Sequence, residues 1–143
     1  MAMTPDNKNL WAVVAGLLVI TAAGLLYLPF EYMIAEKYLD IFKPRNTTHD
    51  IIYVASVVGY ALLPTFCGGW ATAAIAADKP VFRAFITGIL TLVILSSWYI
   101  ARSGFQFEIT ALIFVLITVA GTWLGGLFGQ YRKNKRTARK PVA

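Results

Sequence analysis

Side chains that commonly carry chemistry are few in this chain of 143 residues, which has one histidine, one cysteine and seven carboxylates. A zinc site needs clustered His, Cys or carboxylate ligands, and a catalytic nucleophile needs a base beside it. The spacing provides neither, so we predict no catalytic residue, no metal and no cofactor, and we expect that the protein is not an enzyme. Glu31, Arg102 and Glu108 stand beside long apolar segments. They either form an ionic site or, on the simpler interpretation, mark the ends of membrane spans.

Four long uncharged segments dominate the rest of the chain, which is 58% hydrophobic and only 14% charged, with a mean hydropathy of +0.64. A bilayer core about 30 Å thick is crossed by roughly 20 helical residues. We therefore predict an all-α fold, an integral membrane bundle of four transmembrane helices. The predicted spans are about 10–30, 51–77, 81–101 and 108–131, in a single domain at 1–131 that is followed by a basic tail at 132–143.

The segment after the first span has its own pattern. Ile34, Tyr38 and Phe42 share one helical face, and Pro44 would stop a helix there. This predicts a short interfacial helix after helix one, for lipid or partner binding. The alternative is that helix one continues beyond the membrane.

Small residues recur at four-residue spacing on three of the spans. Such stripes let helix backbones approach closely where the hydrophobic effect no longer drives association. We predict packing faces, within the bundle or against another subunit, at Gly68, Gly69, Ala73, Gly88, Gly121, Gly125, Gly126 and Gly129. The two Gly-Gly pairs, each near the end of its span, also suggest two similar helical hairpins.

Two prolines fall inside predicted helices, Pro29 and Pro64. Each removes a backbone hydrogen bond and bends its helix. Both are candidate hinges, and Pro64 is the stronger one because the first Gly-Gly pair follows it closely. A static kink is the commoner outcome and stays the alternative.

The segment GGWATAAIA at 68–76 precedes charged Asp78 and Lys79, and the later Gly125-Gly126 pair precedes a basic end. Together these features resemble a loose group of small four-helix bacterial inner-membrane proteins of unknown function. The resemblance covers helices two to four. It implies a bacterial inner membrane and carries no catalytic residues.

Basic residues are unevenly shared between the two ends of a four-span bundle. Nine of the 13 lie on the side of both termini, which favours a cytoplasmic location for that side. Six of the nine form the tail, which we expect to contact anionic lipid headgroups or an acidic partner surface. The tail cations are Arg132, Lys133, Lys135, Arg136, Arg139 and Lys140.

Taken together, these features favour a non-catalytic accessory or structural subunit of a larger bacterial membrane complex. Its expected partners are membrane lipids and other membrane subunits, with no nucleic acid. The alternative function is a small oligomeric transporter or channel that uses Pro64 as a hinge.

We predict that a reporter active only in the periplasm, fused after Ala143, gives no signal, because the basic excess retains both termini in the cytoplasm. The same reporter placed between the first two spans serves as the positive control. A strong periplasmic signal from the C-terminal fusion would reverse the topology.

Overall fold

The computed structural model describes residues 4–38, 47–103 and 109–138, and the regular structure of this part of the chain is entirely helical. Each helix contains a segment long and apolar enough to cross a membrane, which confirms the predicted all-helical membrane bundle. The chain is thus a multi-pass membrane protein. The helices are α1 (Pro5–Tyr38), α2 (Thr47–Ile75), α3 (Pro80–Ser103) and α4 (Ile109–Ala138).

The first helix is longer than its apolar segment. Residues 34–38, which were expected to begin a separate interfacial helix, instead prolong α1 to Tyr38. This is the alternative in which helix one continues, and it follows because no glycine or proline after Pro29 ends the helix before Tyr38. Phe42 and Pro44 lie outside the described residues.

Helix α2 occupies the centre of the bundle and packs against all three other helices. It runs antiparallel to α1, since Gly16 lies against Gly68 while Asn9 bonds to the chain just after α2. It runs parallel to α4, with which it shares the most extensive contact. Helix α3 packs on α2 and α4 and also touches α1.

The distribution of side chains is the reverse of that in a water-soluble bundle. Ala12, Ala73, Ala76 and Ala84 are completely buried. Large apolar side chains point outward, as in Leu26, which is 74% exposed. A bilayer solvates such side chains, whereas helix contacts in a membrane favour small residues.

Helices α2 and α3 are joined by a tight turn at residues 76–79. Within this turn, Lys79 adopts a left-handed conformation with a φ of 41°. Pro80 then begins α3. Proline suits the first helical position, because it has no N–H to leave unpaired and its φ is already helical.

Candidate functional site

The first part of the candidate site is a seam between α2 and α4, where the main chains of the two helices meet at glycines. A Cβ added at Gly69 would overlap the Thr122 carbonyl oxygen and lie 2.8 Å from the Thr122 Cα. A Cβ at Gly125 would overlap the Phe66 carbonyl oxygen and lie 2.8 Å from the Trp70 nitrogen. Main chain therefore meets main chain at both levels, which only glycine permits.

The other two glycines of the α4 stripe also face α2. A Cβ at Gly121 would overlap the Thr65 hydroxyl and lie 3.3 Å from the Leu62 carbonyl oxygen. A Cβ at Gly129 would lie 2.7 Å from the Ala73 Cβ. The stripe predicted from four-residue spacing is thus in contact with one neighbouring helix along its length.

A second close contact joins α2 to α1. A Cβ at Gly68 would lie 2.8 Å from the Gly16 carbonyl oxygen, and a Cβ at Gly16 would lie 3.0 Å from the Gly68 carbonyl oxygen. Gly16 was not among the predicted packing residues, although Ala12, which is also buried, lies four residues before it. The four-residue spacing of this pair was the signal that could have identified it.

The glycines that remain mediate the contact between α3 and α4. A Cβ at Gly88 would overlap the Thr122 hydroxyl, and a Cβ at Gly126 would lie 2.7 Å from the Ala84 Cβ. Thr122 thus lies between Gly69 of α2 and Gly88 of α3. All eight predicted packing positions are found at helix–helix contacts.

Buried threonines fill the spaces between these glycines, and sequence reasoning missed them. Most of their hydroxyls donate to a carbonyl one turn earlier on the same helix, as Thr72 does to Gly68 at 2.9 Å and Thr122 to Thr118 at 3.0 Å. The Thr72 and Thr87 hydroxyls also lie 3.0 Å apart and link α2 to α3. The available signal was their spacing of four, seen in the pairs Thr87/Thr91 and Thr118/Thr122.

Two buried polar atoms lack a hydrogen-bond partner in the described part of the chain, the Thr118 hydroxyl and the Arg83 Nε. An unpaired buried group destabilises a fold by about 1–3 kcal/mol. The other buried threonine hydroxyls avoid this cost through their own helix carbonyls.

Asn9 anchors the turn between α2 and α3 and forms the second part of the site. Its side chain is only 4% exposed. The Oδ1 atom accepts from the backbone N–H of Ala77 at 3.0 Å and of Asp78 at 3.4 Å, while Nδ2 donates to the Asp78 carboxylate. A single side-chain amide of α1 therefore binds the backbone that follows the end of α2. No spacing rule connects position 9 with positions 77 and 78, so this role of Asn9 was not predicted.

Helices α3 and α4 fix the same turn with cations. Lys133 Nζ donates to the Ala76 carbonyl oxygen at 2.7 Å, where the last carbonyls of α2 carry partial negative charge. Arg83 pairs with Asp78, with 3.6 Å between Nη2 and Oδ1. We name this set, Asn9, Asp78, Arg83 and Lys133, the turn clamp. It combines side chains from α1, α3, α4 and the turn itself.

The predicted hinge residues lie within continuous helices. Pro64 is buried in α2, and the adjacent Thr65 hydroxyl donates to the Ala61 carbonyl at 2.7 Å and to the Leu62 carbonyl at 3.0 Å. Pro29 is exposed on α1. A hinge at either position stays a prediction.

The remaining predicted residues fall into two groups. The side chains of Glu31, Arg102 and Glu108, like the tail residues Arg139 and Lys140, lie outside the described part of the structure. The tail cations within it, Arg132, Lys133, Lys135 and Arg136, are on exposed positions of α4. The described residues contain no group of three His, Cys, Asp or Glu side chains able to hold a metal ion.

We predict that Gly125→Ala lowers the free energy of unfolding by about 1–3 kcal/mol, because the new methyl group must push α2 and α4 apart. Gly24→Ala is the matched control. Its Cβ would meet only the Tyr60 hydroxyl at 4.0 Å, so the change should be neutral or stabilising by up to about 1 kcal/mol through helix propensity. Thermal unfolding in detergent, followed by circular dichroism, measures both. Equal effects of the two changes would contradict the seam.

We predict that Asn9→Ala reduces stability by about 1 kcal/mol and removes hydrogen-exchange protection from the Ala77 and Asp78 amides, whose acceptor is lost. Asn7→Ala, at an exposed position two residues earlier, should leave both amides protected. Exchange measured by mass spectrometry on peptides covering the turn tests this. Unchanged protection in Asn9→Ala would show that the amide does not hold the turn.

Comparisons of this chain with protein-family models, with curated proteins and with solved structures find no match.

Proposed function

We propose that this protein is a non-catalytic accessory or structural subunit of a larger bacterial membrane complex. It would lie in the inner membrane with both termini in the cytoplasm. The observation that carries the proposal is the closed interior along α2, where the backbones of α1 and α4 lie too close to admit even a Cβ atom.

A closed interior leaves no route for a solute through these contacts. At the Gly69 and Gly125 levels, main-chain atoms of α2 and α4 already touch, so a path there would require the two helices to separate. Transporters instead hold substrates near the midplane, in unwound segments or cavities lined by polar groups. In the described part of α2, the buried polar side chains are Thr65 and Thr72, and each hydroxyl donates to a carbonyl of its own helix.

The outer surface offers apolar area for neighbours in the membrane. Phe82, Phe85, Leu116 and Trp123 line a groove of about 680 Å³ between α3 and α4. Together with the turn clamp, which ties the ends of the helices, this suits a rigid element that binds other subunits through its perimeter. It does not suit an element that opens and closes.

Mild-detergent purification of the tagged chain from its native membrane, followed by size-exclusion chromatography with light scattering, tests the proposal. We expect a complex of fixed stoichiometry whose mass exceeds that of any assembly of this chain alone. The Gly24→Ala variant, purified in the same way, should retain the complex and serves as the control for losses during purification. A homo-oligomer without other subunits would support the transporter or channel instead.

We further predict that the purified protein in vesicles shows no pH-dependent flux, and that Glu31→Gln and Glu108→Gln leave the function of the parent complex nearly intact. Both carboxylates were predicted at span boundaries, where water solvates them, whereas ion coupling requires a charge held within the bundle. Flux that Glu31→Gln alone abolishes would reject the accessory role.

A further inference from the structure

We propose that the groove between the ends of α2 and α4 binds the phosphate of one anionic phospholipid. The groove has a volume of about 470 Å³. Trp70 and Ala74 form its α2 wall. Its α4 wall consists of Gly129, Arg132, Lys133, Arg136 and Thr137. Among the described residues, no carboxylate lines it.

The α4 wall results from helical spacing. Positions 129, 132, 133, 136 and 137 repeat at intervals of three and four, and therefore share one face of the helix. Lys135 is exposed on a different face and does not line the groove. The tail thus places three of its described cations together and one apart.

The three groove cations differ in the contacts that they make. The Arg132 guanidinium carbon lies 5.4 Å from the centre of the Phe128 ring, a cation–π contact that orients it. Lys133 uses one of its three N–H donors on the Ala76 carbonyl and retains two. Arg136 makes no hydrogen bond or ion pair with any described residue. Two guanidinium groups and two ammonium protons therefore remain to bind phosphate oxygens, for which guanidinium is well shaped.

The position of the groove at the end of two membrane spans and its mixed basic and apolar lining favour a phospholipid as the ligand. Both walls belong to segments apolar enough to cross a membrane, Val58–Ile75 and Phe114–Thr137, and the groove lies where the second of these becomes basic. Basic pockets between transmembrane helices on the cytoplasmic side are typical headgroup sites. Trp70 and Ala74 supply apolar surface for the glycerol and the start of an acyl chain, which inorganic phosphate does not need.

Glycine at position 129 makes the groove possible. A Cβ there would lie 3.1 Å from the Trp70 carbonyl oxygen and 3.3 Å from the Trp70 Cδ1. Its absence lets α4 approach α2 closely beside the groove, where Trp70 forms part of the wall. The seam and the lipid site thus share one residue.

Native mass spectrometry of the full chain in detergent, titrated with dioleoylphosphatidylglycerol or with dioleoylphosphatidylcholine, tests the site. We expect preferential binding of the anionic lipid. Arg136→Gln should weaken it about fivefold, since a basic residue near the surface contributes about 1 kcal/mol. Lys135→Gln removes the same charge one residue away and should weaken it by less than about twofold. Equal losses would overturn the proposal, because they would indicate diffuse attraction to the whole tail.

Two further measurements test whether the apolar wall of the groove contributes to binding and whether free anions compete for the site. Ala74→Phe fills the apolar wall without altering any charge and should also weaken phosphatidylglycerol binding; unchanged affinity would overturn the groove as the site. An excess of inorganic phosphate should not displace the lipid, whereas full displacement would reassign the site to soluble anions. Circular dichroism should show native helicity for all three variants, which alter exposed positions.

Discussion

The fold depends on the approach of α2 to its neighbours at main-chain distance. Lipid tails are as apolar as leucine, so burying apolar side chains between helices provides little driving force in a membrane. Close packing and polar contacts must replace it. Gly69 and Gly125 allow this toward α4, and Gly68 with Gly16 allows it toward α1. The central helix thus uses two adjacent glycines to contact two different partners.

This constraint explains features that would be unusual in a water-soluble protein. Close main-chain approach leaves room mainly for small side chains in the interior. Alanines and threonines therefore form the core, and threonine hydroxyls bond to their own helices. The turn clamp then secures the end at which α2 stops. There Asn9, Arg83 and Lys133 bring three helices to one short turn. The same end carries the basic groove, so packing, turn geometry and surface charge meet in one region.

The sequence predicts the four helices because hydrocarbon permits few alternatives for an uncharged segment of this length. Four-residue spacing likewise identified the packing glycines, since spacing on a helix determines which residues share a face. Gly16 follows Ala12 at the same spacing and was overlooked. Asn9 could not be identified in this way, because its role depends on one side-chain amide that meets a distant turn and belongs to no repeating pattern. Lys133 was expected at a lipid or partner surface, and nothing in a run of tail cations distinguishes the one that reaches the Ala76 carbonyl.

Disulfide cross-linking in intact membranes tests the main-chain seam most directly. In a Cys67→Ala background, Ala73→Cys with Gly129→Cys places two Cβ atoms opposite each other, since an ideal Gly129 Cβ would lie 2.7 Å from the Ala73 Cβ. A separation of the two helices by about 1 Å brings this pair to the Cβ–Cβ distance of about 3.5–4.5 Å found in disulfides. The account predicts rapid intramolecular cross-linking under mild oxidation. It predicts none for Ala73→Cys with Leu124→Cys, because Leu124 is exposed on another face of α4. Cross-linking of the second pair but not the first would contradict the seam.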